Sequence, residues 1–344
     1  MSSSDMTIIY QMATINLFKI GGSIILILGN LGGILNLCVF TQKSLRQKPG
    51  SIYFIAFCIS NFLVLWFGLF SFTFSYIFNI DLSISHLIYC RFLTYTLNVS
   101  IILPESYLIL GSIDRILITS RNALIRQRST YHLAFWSISI ITMIWLLFYI
   151  PIWFYTEIQS PVPGVKICFF NPGFYALFMS YSTMFIVGIL PPLLMTIFGF
   201  ITWKNLQRIR IYPITSDHNT TNLSSRDHQL ARMLLLEICI AIIFSLSGSI
   251  LYIYTQVTAN INTSLEHQAL NYFLLSFSVN LVFIRACLSS YSNFIISKVF
   301  RKNCRKILVK YFLSYCHQRF NENNTLQITA RGTILRMRPI TTMN

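Results

Sequence analysis

Charge is what this sequence has least of. Charged residues make up 10% of the chain and hydrophobic residues 54%. A soluble domain of this size would carry about 25% charge. The shortage excludes a soluble globular protein and points to one that crosses a membrane many times. Metal-ligand spacing is also missing, because the eight cysteines form neither a CxxC pair nor a Cys/His pattern. No nucleophile–base pair stands out, so the chain is expected to be neither an enzyme nor the holder of a metal or cofactor. No internal repeat is visible, which argues against many transporter architectures. Residues 1–16 are polar and lack a basic leader with a small-residue cleavage site. They are expected to form a short extracellular N-terminus, with the first span as signal-anchor.

What the sequence does have is long apolar intervals. No charged residue falls between Lys19 and Lys43, Lys48 and Asp81, Arg128 and Glu157, Lys166 and Lys204, or Glu237 and Glu266. Each interval can cross a bilayer, which takes about 20 residues. Two further helical runs bring the spans to seven, at about 17–41, 51–78, 87–120, 131–154, 175–205, 227–256 and 268–296. The expected fold is all-α: a seven-transmembrane helix bundle over 17–296.

The formal charge is +16. In a soluble protein that would suggest nucleic acid. Here the bases sit between apolar runs, so they read as topology signals and contacts to anionic lipid, not as a nucleic-acid site. Lys43, Arg46 and Lys48 follow the first span, Arg121, Arg126 and Arg128 the third, and Lys204, Arg208 and Arg210 the fifth. Lys298, Arg301, Lys302, Arg305 and Lys306 follow the seventh. Positive charge stays inside, so the N-terminus is outside and the tail is cytoplasmic. Residues 297–313 carry Val299, Phe300, Ile307, Leu308 and Tyr311 on one helical stripe among Lys and Arg, the pattern of a basic interfacial helix. Residues 314–344 are expected to be a disordered cytoplasmic tail.

The stretch from Cys90 to Ile116 organises the rest. At about 1.5 Å per residue, Cys90 and Arg115 stand roughly 37 Å apart along a helix, one at each face of the bilayer. Cys90 followed by Asp114-Arg115-Ile116 at this spacing resembles the third helix of rhodopsin-like (class A) G-protein-coupled receptors. LNLCVFTQKSLRQKPGSIYF and FIISKVFRKN resemble the invertebrate peptide-receptor branches of that class. The resemblance covers about residues 17–312. It implies a disulfide between Cys90 and Cys168, which lies in the extracellular loop PVPGVKICFFNP. It implies a plasma-membrane protein with two partners besides the bilayer: an extracellular ligand, expected to be a short neuropeptide, and a heterotrimeric G protein. It implies that Asp114-Arg115 is the coupling switch, with Asp227 as a candidate acid at the base of the sixth span. It also implies an eighth helix over 297–313, with Cys304 or Cys316 as palmitoylation candidates.

Three ionisable residues fall within apolar spans: Glu105, Glu237 and Arg285. A charge at mid-bilayer costs at least ~2.5 kcal/mol, so each needs a partner or water. Asn61 stands where the class carries a sodium-binding aspartate. Arg285 is expected to take the sodium's electrostatic role with Glu105 as counter-ion; the plainer alternative is Arg285 facing water and carbonyls. Where amine receptors of the class hold an aspartate, this chain has Leu97, which disfavours an amine ligand. Thr94, Leu97, Asn98 and Ile101, with Tyr252 and Tyr272, are ligand-pocket candidates suited to a peptide end or a neutral organic molecule. Taken singly, each aromatic is more simply read as core or lipid-facing. Asn262 begins a glycosylation sequon in the third extracellular loop.

Several class signals are absent. Gly32-Gly33 replaces Gly-Asn in the first span. The sixth span has Phe244-Ser245-Leu246-Ser247-Gly248 in place of Cys-Trp-x-Pro. The seventh has Ser289-Ser290-Tyr291-Ser292-Asn293 in place of Asn-Pro-x-x-Tyr. These departures leave open how efficiently the chain couples. Two other readings stay open: a chemosensory receptor of the same fold, and a transporter using Glu105, Glu237 and Arg285.

Overall fold

The computed structural model describes residues 3–42, 46, 49–120, 122–162, 165–171, 173–211, 225–258, 265–297, 300–306 and 309. The chain divides into two units, Met1–Ser297 and Lys298–Asn344. The first unit is a bundle of seven long helices. Helix one comprises Ser3–Asn16, Leu17–Gly22 and Ser23–Phe40. Helix two comprises Pro49–Leu63, Val64–Phe70 and Ser71–Phe78, helix three is Leu87–Ile118, and helix four is Tyr131–Phe148. Helix five comprises Phe174–Thr183, Met184–Ile189 and Leu190–Ile211. Helix six is Ser225–Thr258 and helix seven Leu265–Ile296. Helix one therefore starts well before residue 17, so much of the stretch expected as a separate polar N-terminus is helical.

Among the described residues six of these helices are long and apolar enough to cross a bilayer. Helix three, which carries Arg91, Glu105, Asp114 and Arg115, is not among them. It lies instead inside the protein. Cys90, Val99, Leu103, Tyr107, Gly111 and Arg115 mark a buried side along its length. Helix four is held to it by polar side chains. Trp145 donates its indole N–H to Ser106 Oγ at 2.8 Å, and Tyr107 and Thr142 share a hydroxyl contact of 2.8 Å.

Helices one, two and seven meet around Phe18, Val64, Leu65, Leu69, Phe283 and Ala286. Gly32 and Gly33 permit a close approach on two sides. A Cβ at Gly32 would lie 2.7 Å from Ser290 Cβ, and one at Gly33 2.7 Å from Phe62 Cζ. The Gly-Gly pair thus packs where the class usually has Gly-Asn.

The π-helical turn Met184–Ile189 precedes Pro191-Pro192 in helix five. A proline has no N–H for the i−4 carbonyl and crowds it, and a widened turn is a known accommodation. Helix six runs unbroken for 34 residues without a proline.

The loop carrying Cys168 is a β-hairpin, with β1 at Thr156–Val162 and β2 at Val165–Phe170. The strands are antiparallel, with Ile158 opposite Cys168. In the second unit, residues 300–306 and 309 are helical. Most of the remaining tail, including Cys316, lies outside the described residues, as does Asn262.

Candidate functional site

Helix three carries a distinct contact at each level. At its outer end Cys90 and Cys168 form a disulfide that closes a separation of 78 residues. Arg91 Nε donates to the Thr156 carbonyl at 3.0 Å, which holds the hairpin at a second point. Thr94 Oγ1 lies 3.4 Å from the Cys168 sulfur. Asn98 donates to the Thr94 carbonyl, so its amide N–H satisfies its own helix.

At mid-depth Glu105 and Arg285 are brought together. Arg285 Nη1 stands 2.6 Å from Glu105 Oε1, and both side chains are almost wholly buried. The approach is a close, buried ion pair. Ser245 Oγ of helix six donates to the same Oε1 at 3.4 Å. Glu105 Oε2 is buried without a partner among the described residues. Above and beside this pair is a cavity of about 170 Å³ between helices three, five, six and seven, lined by Ile101, Val187, Phe244 and Val282 among others.

One level inward, Glu237 is fully buried and accepts from Ser292 Oγ. Beside it, Asn36 donates to the Ser290 carbonyl at 2.5 Å and accepts from Asn293 Nδ2 at 3.0 Å. Helices one and seven are thereby joined where the Asn-Pro-x-x-Tyr of the receptor class that the sequence resembles is missing. Asn61 is buried nearby in helix two, with its Oδ1 unpartnered among the described residues.

At the inner end Arg115 Nη2 donates to Asp114 Oδ2 at 2.6 Å. Asp114 Oδ1 accepts from Ser129 Oγ at 2.5 Å, which ties the helix-three end to the loop before helix four. Arg115 is only 2% exposed. It rests against the first turn of helix two, where a Cβ on Gly50 would sit 1.8 Å from Nη2. Asp227 lies on the first turn of helix six, and its side chain is outside the described residues.

The expected pocket residues do not all converge. Ile101 lines the cavity over Glu105 and Arg285. Leu97 lines a different one, facing Phe67 and Tyr89. Tyr272 is 55% exposed, and its hydroxyl pairs with that of Tyr76 at 3.1 Å. The Tyr252 side chain is outside the described residues. Sequence reasoning missed Asn293 and Ser290 as partners of Asn36, Ser292 as the partner of Glu237, and Gly50 as the seat of Arg115. Helical spacing carries no signal for pairs more than 250 residues apart.

A family model described as 7 transmembrane receptor (rhodopsin family) matches residues 32–289. A comparison with curated proteins finds no match to the chain.

Proposed function

Because this chain belongs to the rhodopsin family of seven-transmembrane receptors, we propose that it binds an extracellular peptide at the cell surface and promotes nucleotide exchange on a heterotrimeric G protein. The observation that carries this reading is the buried Arg115–Asp114 pair at the inner end of a helix stapled to the extracellular hairpin at its other end. In the resting arrangement the guanidinium is held inside the bundle. Ligand binding favours a second arrangement in which Arg115 faces the G protein, and the shift can be no larger than the ligand's preference for that state.

A peptide library applied to transfected cells, read by a calcium or cyclic-nucleotide reporter, tests this reading. Arg115→Ala is expected to abolish the response while the protein still reaches the surface. An undiminished response in that variant would refute the switch.

Arg285 takes the place of a bound sodium ion. A permanent cation paired with Glu105 does what the ion does beside an aspartate, and Asn61 supplies no charge to hold one. Agonist binding is therefore expected to be the same in sodium and in N-methylglucamine buffers. A sodium-dependent change in agonist affinity would contradict this assignment.

A further inference from the structure

We propose that Ser129 is a phosphorylation site for a serine/threonine kinase that selects an arginine three residues before its target, and that the phosphate frees the loop before helix four from helix three. This rests on the reading above that the Arg115 end of the bundle faces the cytoplasm, where ATP and such kinases are found.

From Asn122 to Thr130 the loop reads NALIRQRST, with Arg126 and Arg128 three and one residues before Ser129. Their charge also marks the inner side of the membrane, but topology asks nothing of a serine at this place. Arg128 is exposed and Arg126 half-buried. Among the described residues neither guanidinium has a side-chain partner, so both are available to an acidic substrate groove. Ser129 is half-buried and its hydroxyl is engaged: Oγ donates to Asp114 Oδ1 at 2.5 Å. Its neighbour Thr130 has another task, capping helix four by accepting from the Leu133 N–H at 3.2 Å.

The loop has little structure of its own. Its helix, Ala123–Gln127, is five residues long, and isolated helices shorter than ~12–15 residues are marginal in water. The Arg126 and Arg128 N–H groups donate to the Asn122 and Ile125 carbonyls at 3.1 Å each, bonds that stay within the loop. Thr130 is already extended, at φ −121° and ψ 157°. Opening the Ser129–Asp114 contact is the step that lets residues 126–130 enter a kinase as an extended segment.

The kinase transfers the γ-phosphoryl group of ATP to Ser129 Oγ. An O–P bond forms, the bond to the bridging oxygen of the β-phosphate breaks, ADP leaves, and the hydroxyl proton passes to the kinase's catalytic base. The product lacks the donor that Asp114 Oδ1 accepted, and it carries about −1.5 to −2 charge at pH 7. Asp114 is buried, with Arg115 already committed to its Oδ2. A phosphate returning to this place would meet a carboxylate, and like charges at such range repel. The mark is therefore written on the open loop and then keeps the loop open.

The test uses the purified, detergent-solubilised full-length chain with Mg-ATP and calcium/calmodulin-dependent protein kinase II, whose targets carry an arginine three residues before the serine. Mass spectrometry is expected to place the phosphate on Ser129, and Arg126→Gln is expected to slow labelling on the order of tenfold. Hydrogen exchange then reads the loop. In the phosphorylated chain the Arg126 and Arg128 amides are expected to exchange about tenfold faster, the ratio that corresponds to ~1.4 kcal/mol of lost contact. Ser129→Ala, which removes the donor and adds no charge, is expected to fall between the two. Phosphate on Thr130 in place of Ser129, no phosphate at all, or labelling indifferent to Arg126→Gln overturns the proposal. So does exchange that is unchanged, or slower, which would mean that Arg115 captures the phosphate. Neither ligand nor G protein enters the assay. A chain that is phosphorylated and loosened but never signals would leave the site standing and the receptor mechanism refuted.

Discussion

Glu105→Ala is expected to leave little of the protein at the cell surface. The substitution removes the acid that stands 2.6 Å from Arg285 in the bundle interior. Arg285 is 3% exposed and cannot reach bulk water without repacking helix seven. Removing one member of a buried ion pair typically costs about 3–5 kcal/mol, because the remaining charge stays buried and unpaired. That is comparable to the whole stability of many proteins. Removing both charges is a different matter. Replacing a buried pair with apolar residues of similar volume is often neutral or stabilising. Glu105→Leu combined with Arg285→Met is therefore expected to restore most of the surface protein that Glu105→Ala loses. Surface labelling of the wild type, Glu105→Ala, Arg285→Met and the double variant measures this directly. Normal surface display of Glu105→Ala would mean that water or carbonyls satisfy Arg285 and that the pair has no structural role.

Gly50→Ala is expected to raise signalling in the absence of ligand. The added Cβ would fall 1.8 Å from Arg115 Nη2 and 2.7 Å from Cζ. Those atoms are the far end of a flexible side chain, so the guanidinium moves and the helices need not. Moving it withdraws Nη2 from Asp114, where it now sits at 2.6 Å. A loss of about 1.4 kcal/mol from the resting state alone shifts a two-state equilibrium about tenfold. Basal reporter output per surface receptor is the quantity to compare, and an increase on that order is expected. Combining Gly50→Ala with Arg115→Ala is expected to return the basal output to nothing, since the freed residue is then missing. Unchanged basal output in Gly50→Ala would mean that the seat against helix two does not hold the switch.

The seven spans were legible because uncharged intervals are a direct consequence of burying a chain in lipid. Helix three was legible for another reason. It is not among the six helices that length and composition alone mark as spans, and only the placement of Cys90 against Asp114-Arg115 identified it. The Glu105–Arg285 contact was approachable because intramembrane charges must find partners and the sequence offers few. The hairpin formed by Thr156–Val162 and Val165–Phe170 was not foreseen, although Thr156, Ile158 and Val165, Ile167 alternate on either side of the Pro-Val-Pro-Gly sequence. Gly50 was hidden for a plainer reason. A glycine after a proline at a helix start reads as a turn residue, and nothing local says that an arginine more than 60 positions later rests on it. The amide pair Asn36–Asn293 was equally out of reach, because each residue alone is an ordinary polar position in an apolar helix.

The account depends most on helix three crossing the bilayer with the hairpin outside and the Arg115 end inside. Cysteines introduced singly at Phe169 and Leu124, both exposed side chains, report on the two ends through a membrane-impermeant maleimide. In intact cells the Phe169→Cys protein is predicted to react and the Leu124→Cys protein to stay unlabelled until the cells are permeabilised. Labelling of both from outside, or of neither, would contradict the arrangement on which the ligand and coupling assignments stand.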